Sequence, residues 1–263
     1  MLDESKARKI IKATVKGSII SFAKRSLKKK SKFQILDLLI PKERKIRSIV
    51  GGLETSIGTT LWEPLAKALA TENGFTVIDR KLECPVHMPI NLINILQILI
   101  EDRRRDKYSQ NAKGCHEQIK AVCQSFITRK IDSFEAASKG KGVDLWLKKN
   151  EINYFFDIKT VQPNLGAFKG LMEEILYWYA YFYSRYPTEK AEARIVFPYD
   201  PYKGDFWQKK RKLPLEQDNE LWIGTQFWDF CSGLTNTYKL IEEVFNKIFK
   251  TRELEKELES LFK

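Results

Sequence analysis

The hydrophobic and polar positions of the chain follow two periods, and these periods predict where helices and strands lie. Residues 4–30 carry apolar side chains at helical spacing, with many lysines at the other positions, and predict a basic helix. A second helix is predicted to begin at about Ser56 or Thr60 and to end at Thr71. Phe75 to Ile78 then predicts a short strand.

The pattern is mainly helical through residues 85–140 and changes to that of strands after Gly142. Two strands, Val143 to Lys148 and Tyr154 to Val161, are predicted to form a hairpin with a polar turn around Asn150. The remaining predicted elements are a helix over about 167–183, strands over 193–197 and 221–223, and helices over most of 226–262. This order predicts an α/β fold with a mixed β-sheet flanked by helices and a helical insertion.

The net charge of the chain indicates which kinds of molecule it could bind. Lysine and arginine number 46 against 34 aspartates and glutamates, which gives a net charge of +12. A polyanion such as DNA would account for this surplus, because lysine and arginine contacts to phosphate produce non-specific DNA affinity. A basic surface that serves only solubility explains the charge equally well.

Cysteine spacing gives little support to a zinc site, because no two cysteines form a C-x-x-C pair and the chain has only two histidines. We expect buried free thiols at the four positions, Cys84, Cys115, Cys123 and Cys231. The start of the chain is too charged for a signal peptide, and the apolar runs are too short or too interrupted to span a bilayer. The sequence therefore predicts a cytoplasmic protein with reduced thiols.

The candidate chemistry lies in the predicted hairpin. Asp157 and Lys159 are two residues apart in one strand and should project from the same face, with Phe156 and Ile158 directed into the core on the other. The turn should bring Asp144 close to Asp157. Two converging carboxylates suit Mg²⁺, which prefers hard oxygen ligands.

This arrangement resembles the catalytic motif of the PD-(D/E)xK nucleases, in which an acidic residue ends one strand and an acidic-x-Lys triplet follows on the next. The resemblance implies a restriction-endonuclease-like core, Mg²⁺ as cofactor, Asp144 and Asp157 as metal ligands, and Lys159 as the catalytic lysine. Val143 stands where the family name has proline. Lys159 would position or deprotonate the attacking water and oppose the charge on the phosphorane.

The segment from Ser56 to Glu63, followed by a helix, resembles the helix that precedes the core sheet in this superfamily. That helix often supplies a third acidic residue, which implies Glu63 as a further catalytic residue and metal ligand. Two alternatives remain open. Thr60 and Glu63 also have the spacing of a capping box, and Glu54 is a rival acid, nine positions away, that a continuous helix would place on the opposite face.

Three segments of the second half carry a further resemblance: Asp157-Ile158-Lys159-Thr160-x-x-Pro163-Asn164 before a long helix, Phe197-Pro198-Tyr199-Asp200-Pro201-Tyr202, and Ile223-Gly224 with Phe227-Trp228-Asp229-Phe230 and Gly233. They resemble type II restriction endonucleases, including a family that cuts GGNCC-type sites. The resemblance implies double-stranded DNA as substrate and a homodimer that cuts a short palindrome. A repair or recombination nuclease and a non-catalytic DNA-binding protein are the alternatives. The expected DNA contacts are Arg103, Arg104 and Arg105 in the helical insert, Lys141, Asn164, and Lys209, Lys210 and Arg211 in a basic loop.

Under this resemblance, residues 1–263 form a single nuclease domain. Its predicted parts are a basic helical region (1–50), a catalytic core (51–84 and 141–224), a helical insert (85–140) and C-terminal helices (225–263).

Overall fold

A computed structural model describes residues 2–28, 35–105, 111–126, 131–160, 164–200 and 214–261. The chain divides into two compact units. The first unit is Met1–Gly74 with Trp228–Lys263, and the second unit is Phe75–Phe227.

The first unit is helical in its described residues. Its longest helix, α1 (Glu4–Lys28), buries Ala7, Ile11 and Val15, which recur four positions apart and therefore form one stripe. The basic face of α1 is paired within the same unit, since Lys12 and Lys16 both contact Glu253. The helices are α1 (Glu4–Lys28), α2 (Leu36–Leu39), α3 (Pro41–Thr55), α4 (Glu63–Glu72), α9 (Thr237–Thr251) and α10 (Glu253–Leu261), with a π-turn at Gly58–Trp62.

The second unit contains a five-stranded mixed sheet. The three strands at one side pair antiparallel and the remaining pairs are parallel. In order across the sheet, the strands are β1 (Thr76–Val77), β4 (Leu145–Lys149), β5 (Ile152–Ile158), β6 (Lys190–Phe197) and β7 (Leu221–Ile223). The α/β fold with a mixed sheet flanked by helices is thereby confirmed.

Helices of the second unit cover the sheet and bury its central strands. The longest of them, α7 (Leu165–Arg185), connects β5 to β6, as a parallel pair requires. The rings of Trp178, Phe182 and Tyr183 on α7 are buried, so these aromatic residues serve the core rather than an exposed stacking surface. The helices are α5 (Ile90–Arg104), α6 (Ala112–Gln124) and α7 (Leu165–Arg185), and α8 (Thr225–Ser232) begins where the unit ends.

Two short strands are not predicted by the sequence, and the second of them lies within the segment 85–140 that is expected to be mainly helical. β2 (Glu83–Pro85) and β3 (Phe134–Ala136) pair antiparallel and form a separate two-stranded sheet. Each strand has three residues, too few to show a period of two, and their pairing joins segments about fifty positions apart.

All four cysteines are free thiols. Cys115, Cys123 and Cys231 are buried as expected, whereas Cys84 is only half-buried. Among the described helices, none combines the length and the apolar character that crossing a membrane would need.

Candidate active site

The β4–β5 hairpin sets the geometry of the candidate site. Its register pairs Leu145 with Phe156 and Lys149 with Ile152. The two turn residues, Asn150 and Glu151, both have positive φ angles (49° and 62°), as a two-residue hairpin turn of the favoured twist requires. Asp144 lies one residue before the paired segment, and its backbone N–H bonds the carbonyl of Phe156, so Asp144 and Leu145 both lie opposite Phe156.

Asp144 is held by β5 at two points. Its backbone N–H donates to the carbonyl of Phe156 (2.9 Å), and its Oδ2 accepts the backbone N–H of Ile158 (2.8 Å). The carboxylate of Asp144 therefore accepts a backbone N–H of β5 that the carbonyl of a neighbouring strand would otherwise accept. This fixes its position beside Asp157.

Asp157 lies at the end of the central strand and is only 6% exposed. The Nζ of Lys159 is 2.6 Å from its Oδ2, which confirms by geometry that the two side chains share a face. This contact is an ion pair by distance but lacks hydrogen-bond geometry, so in the described chain no hydrogen-bond donor is aimed at this buried oxygen. Burial, followed by the neighbouring Asp144 carboxylate, raises the pKa of Asp157.

Lys159 continues the strand ladder, with its backbone N–H donated to the carbonyl of Val196 (2.9 Å). Partial burial lowers the pKa of its ammonium group, but the carboxylates of Asp157 and Asp144 outweigh burial, and the pKa is raised overall. The structure thus brings together two carboxylates and one ammonium group, as the sequence predicts.

The face of the sheet opposite to Asp157 and Lys159 is expected to be the apolar one, but the structure has buried apolar side chains on both faces. Phe156 packs on Phe227, as predicted for the core side. Phe155, which alternation places on the same side as Asp157, is also fully buried, and its ring contacts Phe182 of α7. Helix α7 thus lies on the face of β5 that carries the candidate site.

Two residues of α7 contact the turn before Asp144, and sequence reasoning missed them. The indole Nε1 of Trp178 donates to the carbonyl of Lys141 (3.0 Å), and the Nζ of Lys141 is 3.5 Å from Glu174 Oε1. Glu174 is also among the carboxylates that raise the pKa of Lys159. The available signal was the one-turn spacing of Glu174 and Trp178, which does not by itself identify their partner.

The carboxylates of Asp144 and Asp157 fit a hard divalent cation. Mg²⁺ binds proteins through one or two carboxylates while keeping several waters. The Oδ2 atom of Asp157 is buried and accepts no well-aligned hydrogen bond. A bound cation would satisfy such an atom. Across the described ranges no three His, Cys, Asp or Glu side chains are grouped as a complete metal-binding cluster, so water or substrate would supply the remaining ligands.

Comparison with known proteins gives the family. The family model described as "Type II restriction endonuclease, HinfI" matches residues 3–249. The chain belongs to the HinfI family of type II restriction endonucleases. This membership confirms the resemblance to restriction endonucleases, and enzymes of this class typically need a divalent metal ion.

The chain is also 26% identical, over 210 residues, to the type II restriction enzyme MjaII of Methanocaldococcus jannaschii. The match covers 76% of this chain and 54% of the relative, so the chain spans about half the length of the curated relative it matches. No solved structure gives a significant match. Neither finding names a GGNCC-type site, and that specificity stays a prediction.

Glu63 and Glu54, the two candidates for a third acid in this HinfI-family chain, belong to the first unit. Glu54 is exposed near the end of α3, whereas Glu63 is half-buried at the start of α4. The π-turn at Gly58–Trp62 separates them, so they do not lie on one regular helix. The capping-box alternative is wrong, because Thr60 lies inside the π-turn and no side chain caps α4. A catalytic role for Glu63 stays a prediction.

The prediction that Arg103 contacts DNA is wrong for a physical reason. Its side chain is fully buried and pairs with Glu220, with Nη2 2.6 Å from Oε2, and it also donates to the carbonyl of Pro214. A guanidinium group in this position has no surface to offer a base. Arg104 pairs with Glu173 and is half-exposed, and Arg105 is 72% exposed, so both stay predicted DNA contacts.

The structure describes two of the other predicted DNA contacts, Asn164 and Lys141, and both side chains are exposed. Asn164 caps helix α7, since its Oδ1 accepts the backbone N–H of Ala167 (2.9 Å), and its side chain is exposed. Lys141 is exposed but contacts Glu174, as described above. Lys209, Lys210 and Arg211 lie outside the described residues.

Proposed function

We propose that this chain is a Mg²⁺-dependent site-specific deoxyribonuclease that hydrolyses phosphodiester bonds in double-stranded DNA at a short palindromic site. One observation carries the proposal: the carboxylates of Asp144 and Asp157 lie together at the end of the hairpin, with the Lys159 ammonium 2.6 Å from Asp157, in a chain of the HinfI family. Its net charge of +12 suits a polyanionic substrate.

Each of the three side chains has a distinct part in this reaction. Asp144 and Asp157 would hold the ion, with Asp144 kept in place by the N–H of Ile158. The bound ion would supply Lewis-acid polarisation of the scissile phosphate and a more acidic water. The Lys159 ammonium would position the attacking water and oppose the negative charge that develops on the phosphorus oxygens. Because Asp157 is buried at the strand end, these groups are held in place before DNA binds.

Recognition of a palindrome is most simply performed by a homodimer. A two-fold axis relates two equivalent subunits in the same way that it relates the two strands of a palindromic site, so each subunit would cut one strand. Membership of a restriction family favours this function over a repair nuclease or a non-catalytic DNA-binding protein.

The test is digestion of plasmid DNA by the purified protein in Mg²⁺, followed by sequencing of every fragment end. The proposal predicts discrete fragments whose ends share one short palindrome, and light scattering should give the mass of two chains. Ends scattered over unrelated sequences, or intact plasmid with Mg²⁺ and with Mn²⁺, would overturn it.

A further inference from the structure

A cavity lies along the edge of β6, at a distance from the candidate active site. Strand β7 pairs with β6 only from Ile195 onwards, so within the described chain no strand covers the first half of β6 on that side. The cavity has a volume of about 360 Å³, which is within the range of small-molecule sites. Its wall includes Ile152 at the start of β5, whereas Asp157 lies five residues further along that strand, about 16 Å away.

Two tyrosines of α7 close the edge of β6 against a further strand. The hydroxyl of Tyr183 accepts the backbone N–H of Ala191 (3.1 Å), and the hydroxyl of Tyr179 accepts that of Ala193 (2.9 Å). An extended peptide that added to this edge would need the same two N–H groups. The cavity therefore suits a small ligand better than a strand of a partner protein.

The charged side chains around the cavity are mainly basic. The two glutamates in its wall, Glu192 and Glu220, are each paired with an arginine at 2.6 Å. One of the lysines is 3.9 Å from an exposed glutamate, and this contact is largely open to water. The remaining charge is positive, so an anion is the expected ligand. The cationic side chains that line the cavity are Lys113, Lys120, Lys190 and Arg194.

Two groups in the wall have a hydrogen bond left to donate. Arg194 is only 12% exposed, its Nη2 pairs with Glu192, and its guanidinium group lies 4.1 Å from the ring of Trp222. Its Nη1 is buried and has no hydrogen-bond partner in the described chain. Burial raises the pKa of Tyr179, so its hydroxyl keeps a proton to donate. A buried donor without an acceptor is costly, and a phosphate oxygen would satisfy it.

We propose that this cavity binds a phosphate monoester of nucleotide size, with Arg194 and Tyr179 as donors to the phosphate oxygens and the exposed Lys113 and Lys190 at its mouth. Such a group carries a charge of about −1.5 to −2 at pH 7, which suits the basic lining. A free nucleotide and the 5′-phosphate of a DNA end share this chemistry. Binding needs no cleavage, so the inference does not rest on the proposed nuclease function.

The competing explanation is that Arg194 only supports the sheet and that the lysines only keep the protein in solution. Charge reversal at exposed positions separates the two explanations without disturbing the core. Lys113→Glu and Lys190→Glu reverse a charge at the mouth of the cavity. Lys139→Glu makes the same change at an exposed position outside the lining and is the matched control. Lys159→Ala tests whether the candidate active site is bound instead.

The experiment is calorimetric titration of the full chain and these variants with inorganic phosphate and with thymidine 5′-monophosphate. EDTA is present throughout, so no metal ion can hold phosphate at the hairpin. The nucleotide should bind at one site per chain and more tightly than inorganic phosphate. Lys113→Glu and Lys190→Glu should each weaken nucleotide binding by about tenfold or more, since each loses a charged contact to phosphate. Lys139→Glu and Lys159→Ala should match the wild type.

Competition with short DNA duplexes distinguishes the two sources of the ligand. Displacement of the nucleotide by a duplex with 5′-phosphates, but not by the same duplex without them, would identify a DNA end as the ligand. Displacement by neither duplex would identify a free nucleotide. Equal displacement by both would overturn the assignment to a monoester, because internal phosphodiesters would then be sufficient.

Three further results would overturn the inference. The first is a wild-type protein that binds neither probe. The second is an equal loss of affinity in Lys139→Glu and Lys190→Glu, since the effect would then come from net charge alone. The third is a loss of binding in Lys159→Ala that Lys190→Glu does not share, which would place the nucleotide at the hairpin. A wild-type protein that binds the nucleotide but cuts no DNA would overturn the proposed function and leave this inference in place.

Discussion

His116 illustrates how burial sets the charge of a single residue. Its ring stacks on Tyr179 at 4.0 Å, and its Nε2 is 2.7 Å from the hydroxyl of Tyr183. That hydroxyl also accepts the backbone N–H of Ala191 (3.1 Å). Burial, followed by the charge of Lys120, lowers the pKa of His116 to about 4, and the imidazole is neutral at pH 7.

A pH-dependent loss of stability follows from this shift. The unfolded chain takes up the proton near pH 6.5 and the folded chain only near pH 4, so the contribution of His116 is complete above about pH 6.5 and is lost as the pH falls to about 4. The full effect is about 3 kcal/mol. Chemical denaturation between pH 7 and pH 4 should show a shallower decline for His116→Phe, which keeps the stacked ring, than for the wild type or for His87→Gln. Parallel curves for all three would contradict the assignment.

The sequence predicts the residues of the hairpin and fails for Arg103, and the difference lies in the range of the contacts. Asp157 and Lys159 are brought together by alternation within one strand, and Asp144 by a two-residue turn. Arg103 is buried only because Glu220, 117 positions away, enters the same core. Since no local pattern signals such a partner, its charge is indistinguishable in sequence from the exposed charge of Arg105.

At the scale of elements, the buried pair of Arg103 and Glu220 joins α5 to the segment that leads into β7. The guanidinium group contacts both carboxylate oxygens of Glu220, at 3.2 and 2.6 Å, and the carbonyl of Pro214. Arg103→Ala would leave the Glu220 carboxylate buried and unpaired, which costs about 3–5 kcal/mol. Arg105→Ala removes only an exposed pair with Glu101 and should cost less than about 1 kcal/mol. Urea unfolding measures both, and equal losses would rule out a structural role for the buried pair.

The π-turn before α4 is the element that bears on the third acid. A π-turn is rare and is often found at functional sites, and here it directly precedes Glu63. Glu63→Gln should reduce cleavage severely if Glu63 is the third acid. A lower melting temperature with an unchanged cleavage rate would instead indicate a structural role for Glu63. Glu54→Gln is the control and should have a much smaller effect on the rate. A wild-type rate for Glu63→Gln would remove Glu63 from the site.

The sequence also predicts elements unevenly. The strands of the main sheet and most helices show clear periods and are placed to within a few residues. Helices α2 and α3 are exceptions, since no helix is predicted over 36–55 and α3 continues through Gly51 and Gly52. The β2–β3 pair and the π-turn are not predicted, because three-residue strands and a single widened turn are fixed by tertiary packing rather than by local pattern.

For the whole molecule, the net charge of +12 predicts DNA binding that weakens steeply with salt. Loss of a phosphate-binding lysine, as predicted for Lys210→Ala, should lower affinity for all sequences and flatten the salt slope by about one. Loss of a base-reading arginine, as predicted for Arg105→Ala, should instead relax the choice at one position by about 1–3 kcal/mol.

Binding to a panel of single-base variants in Ca²⁺, at several salt concentrations, distinguishes these two effects. If neither substitution changes DNA affinity or base preference, the excess of lysine and arginine over acidic residues serves only to keep the protein in solution. Recognition would then lie elsewhere, with the helix after Asn164 as the next region to test.

The central claim is that the β4–β5 hairpin holds the metal-dependent cleavage centre, and plasmid cleavage in Mg²⁺ tests it most directly. Asp157→Asn and Lys159→Ala should bind DNA in Ca²⁺ as the wild type does. Asp157→Asn removes one negative charge and Lys159→Ala removes one positive charge, and both changes are small beside the net charge of +12. Both should leave the plasmid uncut in Mg²⁺, whereas Lys149→Ala, at the other end of the same hairpin, should cut normally. Cleavage by either Asp157→Asn or Lys159→Ala at the wild-type rate would contradict the account.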